Sequence, residues 1–354
     1  MSDINQQNDG PGCPILSEVD GERITLAYGE GGRLSRQLIG ERILTRFAND
    51  QLNELGDAAL LTSNTRRLAF STDGYTVTPL FFPGGDIGKL AVFGTTNDLA
   101  VSGAIPRWLS LSLIIEEGLP WSVLDRVLDS IQHASAIANA TIVTGDTKVV
   151  PYGAADKLFI TTSGVGEVLE PAPPGARSLQ PDDVLIVSGP IGSHGAAILC
   201  AREKFDFDPL PASDCASLSQ PLISLYSAGL TPRAVRDATR GGVAAVLHEW
   251  ADASGLTCVI NESAIPVADC VRGICELLGL DPLHFANEGT FVLSTRPELV
   301  ESTLDLLREH RATHQAAVIG WVKPRRNSPV LVVRGIGREV VLDEPSGAPL
   351  PRIC

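Results

Sequence analysis

A proline-rich break near the middle of the chain sets the strongest limit on its fold. The run Pro171-Ala172-Pro173-Pro174-Gly175 cannot continue a helix or a central strand, because proline fixes φ and lacks an amide hydrogen. The chain has 354 residues, of which 44% are hydrophobic, and this is more than one ordinary core holds. We therefore predict two domains that meet at this break.

Helical and strand patterns alternate on both sides of the break, which predicts an α+β class for each domain. Before the break, the spacing predicts helices at 34–47, 86–102 and 121–138 and strands at 24–27, 67–72, 108–116, 141–150 and 158–168. After it, the patterns predict strands at 184–188, around 258, at 291–294 and at 318–321, and helices at 195–204 and 242–254. The predicted division is a disordered extension at 1–22, a first domain at 23–170, a second domain at 171–342 and a mobile tail at 343–354.

The charge balance limits the partners of this chain. It carries 28 basic and 42 acidic residues and a formal net charge of −14, which opposes binding to nucleic acid or to an anionic membrane. Any nucleotide it binds is expected to be small and accompanied by a cation. Residues 1–10 lack a basic segment followed by an apolar one, and no stretch has the length of a membrane span, so we expect a cytoplasmic protein.

The seven cysteines are scattered, with no Cys-x-x-Cys pair, and indicate neither a disulfide framework nor a zinc site. Cys13 and Cys354 lie near the two ends of the chain and are expected to be accessible. The other five are in apolar or small-residue surroundings and are predicted to be inert core thiols, namely Cys200, Cys215, Cys258, Cys270 and Cys275.

The chain ends in Pro351-Arg352-Ile353-Cys354, which places a thiol on the last residue. The preceding run, 344–351, has a Ser-Gly step and alternating prolines, and favours an extended arm of about 3 Å per residue. Such an arm can carry the thiol into another active site. The alternative is an exposed cysteine left by chance at a fraying end. Prenylation is excluded, because that signal needs the cysteine four residues from the end.

Four aspartates lie in short turns near predicted strand or helix ends in the first domain: Asp57, Asp73, Asp98 and Asp146. Carboxylate oxygens that converge from several turns are the ligands of a hard cation on a polyphosphate. The alternative for each is that aspartate is a common turn and cap residue. Asn97-Asp98 is less easily explained in that way, because the pair interrupts an otherwise apolar helical run.

Two further motifs do not carry chemistry. The segment 189–195 reads Gly-x-x-Gly-x-x-Gly and not Gly-x-Gly-x-x-Gly, so it predicts a tight turn and a helix start instead of a dinucleotide site. His310 and His314 have helical spacing, but no glutamate lies between them to serve a zinc protease, and we predict that they are surface residues.

Several segments together resemble the HypE hydrogenase maturation factors, members of the PurM-like superfamily of ATP-using enzymes. The resemblance runs from about Ile24 to the end. It departs from the family where Ala27 replaces a usual histidine and Ser193 a usual aspartate. The segments that carry it are 71–77, 84–89 with Asn97-Asp98, 145–150, 237–242, 287–289 and the closing Pro-Arg-Ile-Cys, which singles out HypE within the superfamily.

The resemblance implies a two-domain PurM-like fold, in which the N-terminal domains of a homodimer form an intersubunit β-sheet or barrel and the C-terminal domain is an α/β sandwich. It implies ATP-dependent dehydration, with Mg²⁺, of a carbamoyl group on Cys354 to a thiocyanate that supplies the cyanide ligands of a nickel-iron hydrogenase. The implied partners are the carbamoyl transferase HypF and the HypC–HypD iron scaffold complex.

The implied site is assigned as follows. Cys354 carries the substrate, Lys148 faces the transferring phosphoryl group or the carboxamide oxygen, and Glu288 is the base. Nucleotide contacts are assigned to Asp57, Asp73, Asp86, Lys89, Asn97, Asp98, Asp146 and Thr147. The metal ligands among these are Asp57, Asp73, Asp98 and Asp146.

Two alternatives stay open at this point. One is another enzyme of the superfamily, above all a selenophosphate synthetase, whose reactive cysteine is followed closely by a lysine; Cys13 has no lysine nearby. The other is a non-catalytic carrier whose tail shuttles a group between partners, in which case the acidic turns are structural.

Overall fold

A five-stranded sheet forms the N-terminal half of the described chain. The structure is a computed structural model that describes residues 32–38, 40, 59–62, 67–335 and 337–346. Its first elements are helix α1 (Gly32–Leu38), strands β1 (Ala59–Thr62), β2 (Arg67–Tyr75), β3 (Phe81–Phe82) and β4 (Gly85–Asp86), helix α2 (Ile87–Val101), strand β5 (Ala104–Glu116), helix α3 (Trp121–Ala138), and strands β6 (Thr141–Val150) and β7 (Leu158–Val168). The order in the sheet is β1-β2-β7-β5-β6, and β3 pairs only with β4.

Helix α2 lies on the buried face of this sheet. Along β2, Ala69, Ser71 and Tyr75 point inward, whereas Phe70 and Thr72 point outward, as the strand period requires. Thirteen of the fifteen residues of α2 are buried, because the sheet, α3 and the second half of the chain cover it on different sides. A helix covered on all sides is mostly apolar around its whole circumference, and this explains why most of α2 reads as one long apolar run.

A seven-stranded sheet forms the second half. The elements of this half, in chain order, are strand β8 (Val184–Val187), helices α4 (Ser193–Glu203) and α5 (Ser219–Ser227), strand β9 (Ala234–Asp237), helix α6 (Gly242–Ser254), strand β10 (Thr257–Asn261), helix α7 (Asp269–Leu278), strand β11 (Phe291–Thr295), helix α8 (Val300–Arg308), and strands β12 (Ala317–Lys323), β13 (Val330–Arg334) and β14 (Arg338–Val341). The order is β14-β13-β10-β12-β8-β11-β9.

Both faces of the second sheet are covered, and the central strand β8 shows why. Leu185 and Val187 pack in one apolar cluster with α6, while Val184 and Ile186 pack in another with α5 and α8. A strand buried on both faces reads as a continuous apolar run, which is what Val-Leu-Ile-Val is. In the described part of the chain, no helix has both the length and the apolar character to cross a membrane.

The two halves are joined by hydrogen bonds as well as by apolar packing. Asn97 on α2 is 2% exposed; its side-chain amide donates to the Ala216 carbonyl at 3.0 Å and accepts from the Leu218 amide at 2.8 Å. The Tyr226 hydroxyl donates to the Ala100 carbonyl at 3.1 Å, and the Arg202 guanidinium donates to the Thr78 carbonyl at 2.7 Å. Buried polar groups at this junction are therefore paired across it.

Most predicted elements are confirmed. The helix at 121–138 and the strands at 141–150 and 158–168 have the predicted bounds, and α4 begins at Ser193 after Gly192, as the Gly-rich spacing indicated. The prediction that His310 and His314 are surface residues is confirmed for His314, which is exposed, whereas His310 is half-buried; both follow the end of α8 at Arg308. The strand at 24–27, most of the helix at 34–47, and the segments 1–22 and 347–354 lie outside the described residues.

The cysteine prediction is confirmed for three of five thiols. Cys200, Cys258 and Cys275 are buried, and burial raises their pKa values, to about 12 for Cys258 and about 11 for Cys275. Cys215 and Cys270 are half-buried and pack against the edges of two core clusters, so their assignment to the core holds only in part. Cys13 and Cys354 lie outside the described residues.

Replacing Asn97 with alanine should weaken the junction. The change leaves the buried Leu218 amide and Ala216 carbonyl without their partner, which should lower the free energy of unfolding by about 2–4 kcal/mol. Urea unfolding measures it. Asn261→Ala is the control, because that side chain accepts only from Ser263 within its own turn; it should cost about 1 kcal/mol or less. Equal losses in the two variants would contradict this role of Asn97.

Candidate active site

Asp98 is fixed at the end of α2 by a contact with the first sheet. It is half-buried, and the Ser71 hydroxyl on β2 donates to its carboxylate at 2.6 Å. Ser71 points inward because it alternates with the exposed Phe70 and Thr72. The strand period therefore brings a hydroxyl to the one acidic side chain of the buried helix.

Asp73 lies two residues further along β2 and faces the second half of the chain. Burial raises the pKa of its carboxyl, and the positive charge of Arg240 opposes that shift. Arg240 lies between β9 and α6, in the segment 237–242 that carries the family resemblance. The two halves thus contribute opposite charges to one place.

The Tyr75 hydroxyl marks where three carboxylates converge. It is 3.3 Å from the Thr95 hydroxyl on α2, and it fits there because residue 94 is glycine; a Cβ at Gly94 would lie 2.2 Å from the Tyr75 oxygen. Burial raises the pKa of Tyr75 well above its ordinary value, and the negative charges of Asp73, Asp98 and Glu288 raise it further. Carboxylates from both halves therefore act on one buried hydroxyl.

Glu288 is held in its turn by a second carboxylate. Asp214 accepts hydrogen bonds from the Glu288 amide at 3.1 Å, the Gly289 amide at 3.0 Å and the Thr290 hydroxyl at 3.0 Å. A Cβ at Gly289 would lie 1.9 Å from the Asp214 carbonyl oxygen, so only glycine fits here. Glu288 itself is 7% exposed. The turn is therefore rigid, and its acidic side chain is buried instead of solvated.

The same junction holds a thiol and a lysine. Burial raises the pKa of Cys215 well above its usual range; the charges of Glu288 and Asp214 add to this, and Lys89 only partly offsets it. Cys215 therefore stays a protonated thiol, which is a poor nucleophile. Lys89 lies in the first turn of α2, and its charge reaches the same region as those carboxylates.

Two predicted nucleotide contacts have structural roles. Asp86 is the N-cap of α2: its carboxylate accepts from the Gly88 amide at 2.8 Å, the Lys89 amide at 3.0 Å and the Ser130 hydroxyl at 2.6 Å. Asn97 joins the two halves, as described above. Their assignment to a nucleotide stays a prediction.

Asp146 and Lys148 lie on β6, at the edge of the first sheet, and both are exposed. Asp73 pairs with Thr162, Thr162 with Leu111, and Leu111 with Gly145, so Asp146 lies next to the cross-strand row of Asp73. Three strand spacings separate β2 from β6, or about 14 Å. The structure therefore places these residues at one level of the sheet but not in one cluster.

The remaining predicted residues are placed only in part. Thr147 is described by its backbone in β6, opposite Leu113, and Asp57 and Cys354 lie outside the described residues. Within the described ranges, no group of three or more His, Cys, Asp or Glu side chains is arranged to hold a metal ion. Asp73 and Asp98 are the two predicted ligands that share the surroundings of Tyr75.

Sequence reasoning gave no role to Asp214 or His194 and treated Cys215 only as a core thiol. His194 is the second residue of α4 and is fully buried; its Nδ1 lies 2.8 Å from the Ser213 hydroxyl, and its ring packs edge-on against Phe82. Burial lowers the pKa of His194 to about 3, so it is neutral near neutral pH. The segment 206–218 has no helical or strand period, and its contacts are with residues far away in the chain. The sequence therefore offered no signal for it.

Comparison with known proteins follows the same division of the chain. The N-terminal domain of AIR synthase related protein matches residues 55–168, and the C-terminal domain of that family matches 180–332. The carbamoyl dehydratase HypE of Escherichia coli strain K12 is 49% identical over 336 residues, 94% of this chain and 99% of that one.

Solved structures agree with this likeness. A crystal structure of a HypE–HypF complex has a TM-score of 0.83 at 40% identity, covering 87% of this chain and 99% of that one. A HypE crystal structure in complex with ATP has a TM-score of 0.77 at 44% identity, covering 93% and 99%. The predicted two-domain PurM-like fold of α+β class is confirmed by these matches.

The buried His194 should make stability depend on pH. Because its folded pKa is about 3 and an unfolded histidine titrates near 6.5, only the unfolded chain gains this proton between those values. The contribution of neutral His194 to the free energy of unfolding is therefore complete above pH 6.5 and falls with acidification, by up to about 1.4 kcal/mol per pH unit. The free energies of unfolding of wild type and His194→Gln, measured in urea, should therefore draw closer by about 2 kcal/mol from pH 6.5 to 4.5. His133→Gln controls for loss of an exposed histidine; parallel curves for His194→Gln would contradict the assignment.

Proposed function

This chain belongs to the HypE family of AIR synthase related proteins, which are carbamoyl dehydratases, and we propose that the carbamoyl group it dehydrates is carried on its own Cys354. The family serves hydrogenase maturation. The product proposed is a protein thiocyanate, from which cyanide passes to the iron of a nickel-iron hydrogenase.

The reaction proposed removes the elements of water in two steps. The carboxamide oxygen first accepts the γ-phosphoryl group of ATP, which releases ADP and turns a poor leaving group into phosphate. The carbon–oxygen bond then breaks, and phosphate departs with that oxygen. The nitrogen loses both protons, which leaves a carbon–nitrogen triple bond at the carbon that is bonded to the sulfur. ATP is consumed because carboxamide oxygen does not leave unaided.

The convergence around Tyr75 carries this proposal. Asp73 and Asp98 come from the first half, Glu288 comes from the second, and all three charges act on one buried hydroxyl. Concentrated negative charge is what a divalent cation neutralises when it bridges carboxylates and a polyphosphate. This charge, and the hard oxygen donors that bear it, fit Mg²⁺ and support Asp73 and Asp98 as its ligands. Asp57 lies outside the described residues and Asp146 lies about 14 Å from β2, so both stay predictions from the sequence. When bound, Mg²⁺ supplies charge neutralisation at the transferring phosphoryl group.

Glu288 is the proposed base that takes a proton from the nitrogen. Its burial and the three hydrogen bonds that Asp214 accepts from its turn support the role, because a base must keep its direction throughout the reaction. Lys148 is proposed to stabilise the transferring phosphoryl group or the carboxamide oxygen, and Lys89 to contact the nucleotide. An ATP complex of a 44% identical HypE supports ATP as the second substrate.

The donor of the carbamoyl group is proposed to be the transferase HypF. A solved HypE–HypF complex supports this assignment, since that HypE is 40% identical to this chain over nearly its whole length. The acceptor of the cyanide is proposed to be the HypC–HypD iron scaffold complex.

We propose a homodimer through the outer face of the first sheet. Phe70, Val165 and Trp108 form one cross-strand row on β2, β7 and β5, and Phe70 and Trp108 are 40% and 44% exposed. An outward apolar row of this kind on a sheet is an interaction surface. A second copy of the chain, as the family resemblance implies, would cover it.

The decisive experiment follows the mass of the C-terminal peptide. After carbamoylation by HypF, wild type should lose one water from Cys354 only with magnesium and ATP. Lys148→Ala should bind ATP normally but turn over about a hundred- to a thousandfold more slowly. Lys323→Ala, which removes a half-buried lysine from β12 in the second half, where it pairs with Asp182, is the control. An adduct unchanged by ATP would favour a non-catalytic carrier, and a Lys148→Ala rate within tenfold of wild type would remove Lys148 from the reaction.

Trp108→Arg should convert the dimer to a monomer, because it places a charge in the apolar row. Sedimentation velocity measures the result. Trp321→Arg is the matched control, since Trp321 on β12 of the other sheet is also 44% exposed and should leave the dimer intact. A monomeric wild type, or a dimeric Trp108→Arg, would contradict the proposed interface.

A further inference from the structure

The first residues of the predicted tail, together with Leu342 before them, are fixed on the second half by two histidines. We call Leu342–Pro345 the tail root. The Nε2 of His248, on α6, lies 3.1 Å from the Leu342 carbonyl oxygen, and the Nε2 of His284 lies 3.0 Å from the Asp343 carbonyl oxygen. Carbonyl oxygens only accept, so each Nε2 carries a proton and donates it. Leu342 is also 3% exposed and donates its amide to Val330.

Helix α1 holds the tail root from the other side. The Arg33 amide donates to the Pro345 carbonyl at 2.9 Å, and the Arg36 guanidinium is paired with the Glu344 carboxylate and lies 3.7 Å from the Asp252 carboxylate. Arg36 and Glu344 are 28% and 24% exposed, so solvent screens this pair less than an ordinary surface ion pair. One arginine thus bridges the N-terminal helix, the tail root and α6.

This anchored segment lies next to the candidate active site. Pro345 is buried, and its Cγ is 3.6 Å from the position of a Cβ on Gly241. The preceding residue, Arg240, acts on Asp73 through its charge. The tail root therefore contacts the residue next to Arg240, whose side chain faces the carboxylates. Cys354 is nine residues beyond Pro345.

We infer that the tail root is a fixed anchor for the carrier tail and that Arg36 and Glu344 are positioning residues for Cys354. This inference rests on the proposed function, since it concerns delivery of the thiol-bound carbamoyl group. An arm of nine residues that begins beside the site spans about 27 Å if extended. The anchor sets the length and the starting direction of that arm, and both determine the effective concentration of the thiol at the site.

Freeing the root gives the arm more residues and removes its starting direction. Loss of the Arg36–Glu344 ion pair should loosen the Arg33–Pro345 and His284–Asp343 contacts on either side of Glu344, so that the free segment begins at Asp343 and has twelve residues. Length alone lowers the effective concentration by less than about twofold, and the lost direction adds to this, so we expect an intramolecular rate about fivefold slower. ATP affinity should not change, because neither residue contacts the nucleotide in the proposed site.

The test compares Arg36→Ala, Glu344→Ala and the double variant of the full-length chain. Single-turnover loss of water from carbamoylated Cys354 gives the rate, and equilibrium binding gives the ATP affinity. Each single variant should be about fivefold slower than wild type, and the double variant no slower than Arg36→Ala, because both single changes remove the Arg36–Glu344 pair and Arg36→Ala also removes the longer contact with Asp252. Glu339→Ala is the matched control: it removes the Arg326–Glu339 ion pair on β14, five residues before Glu344, without touching the root.

Three outcomes would overturn the anchor. They are variant rates within twofold of wild type, losses that multiply in the double variant, and a loss of ATP affinity that parallels the loss of rate.

Hydrogen exchange distinguishes failure of the anchor from failure of the proposed function. If wild type itself loses no water with ATP, the dehydration proposal fails. The anchor then stands only if Glu344→Ala speeds exchange in peptides covering 30–38 and 340–346, and unchanged exchange would overturn it.

Discussion

Burial of α2 on every side is the constraint on which the rest of this structure depends. A helix covered by a sheet, a second helix and another domain gains apolar burial from each neighbour, and none can leave without exposing it. Its few polar groups must then find partners inside the protein. Asn97 finds them across the junction, and Asp98 finds one on β2. The chemistry lies at the junction because the buried helix brings its polar side chains there.

The charges at this junction suit a divalent cation, such as one that accompanies a phosphate-bearing partner, and do not suit a nucleophile of the junction's own. Carboxylates from both halves raise the pKa of Tyr75, and two of them help to raise that of Cys215, whereas Arg240 and Lys89 offset the charge only in part. A protonated Cys215 does not compete for an acyl group. The site therefore suits a substrate whose reactive sulfur arrives from elsewhere, as the sequence of the last residues predicts.

The sequence was sufficient for the strongly patterned elements, such as α3, β6 and β7, whose periods are long and unbroken. It was not sufficient for α5 or α7, which contain Pro221 and Gly273, residues that weaken a helical pattern. Asp73, Asp98 and Glu288 were found through acidic turns and family likeness. Asp86 shows the limit of that reasoning, because a capping aspartate and a ligand aspartate look alike until their donors are known. Asp214 gave no signal, since all three of its donors are more than seventy residues away.

The paired junction has one more consequence. Hinge-bending enzymes admit a substrate by parting their domains, which requires an interface that can open at little cost. Here Asn97, Tyr226 and Arg202 each bond across the junction, over a continuous apolar contact. Parting the halves would leave these groups without partners, so opening of the junction carries a large cost. Under the proposed function, the reactant therefore has to reach the junction by delivery on the chain end and not by separation of the halves.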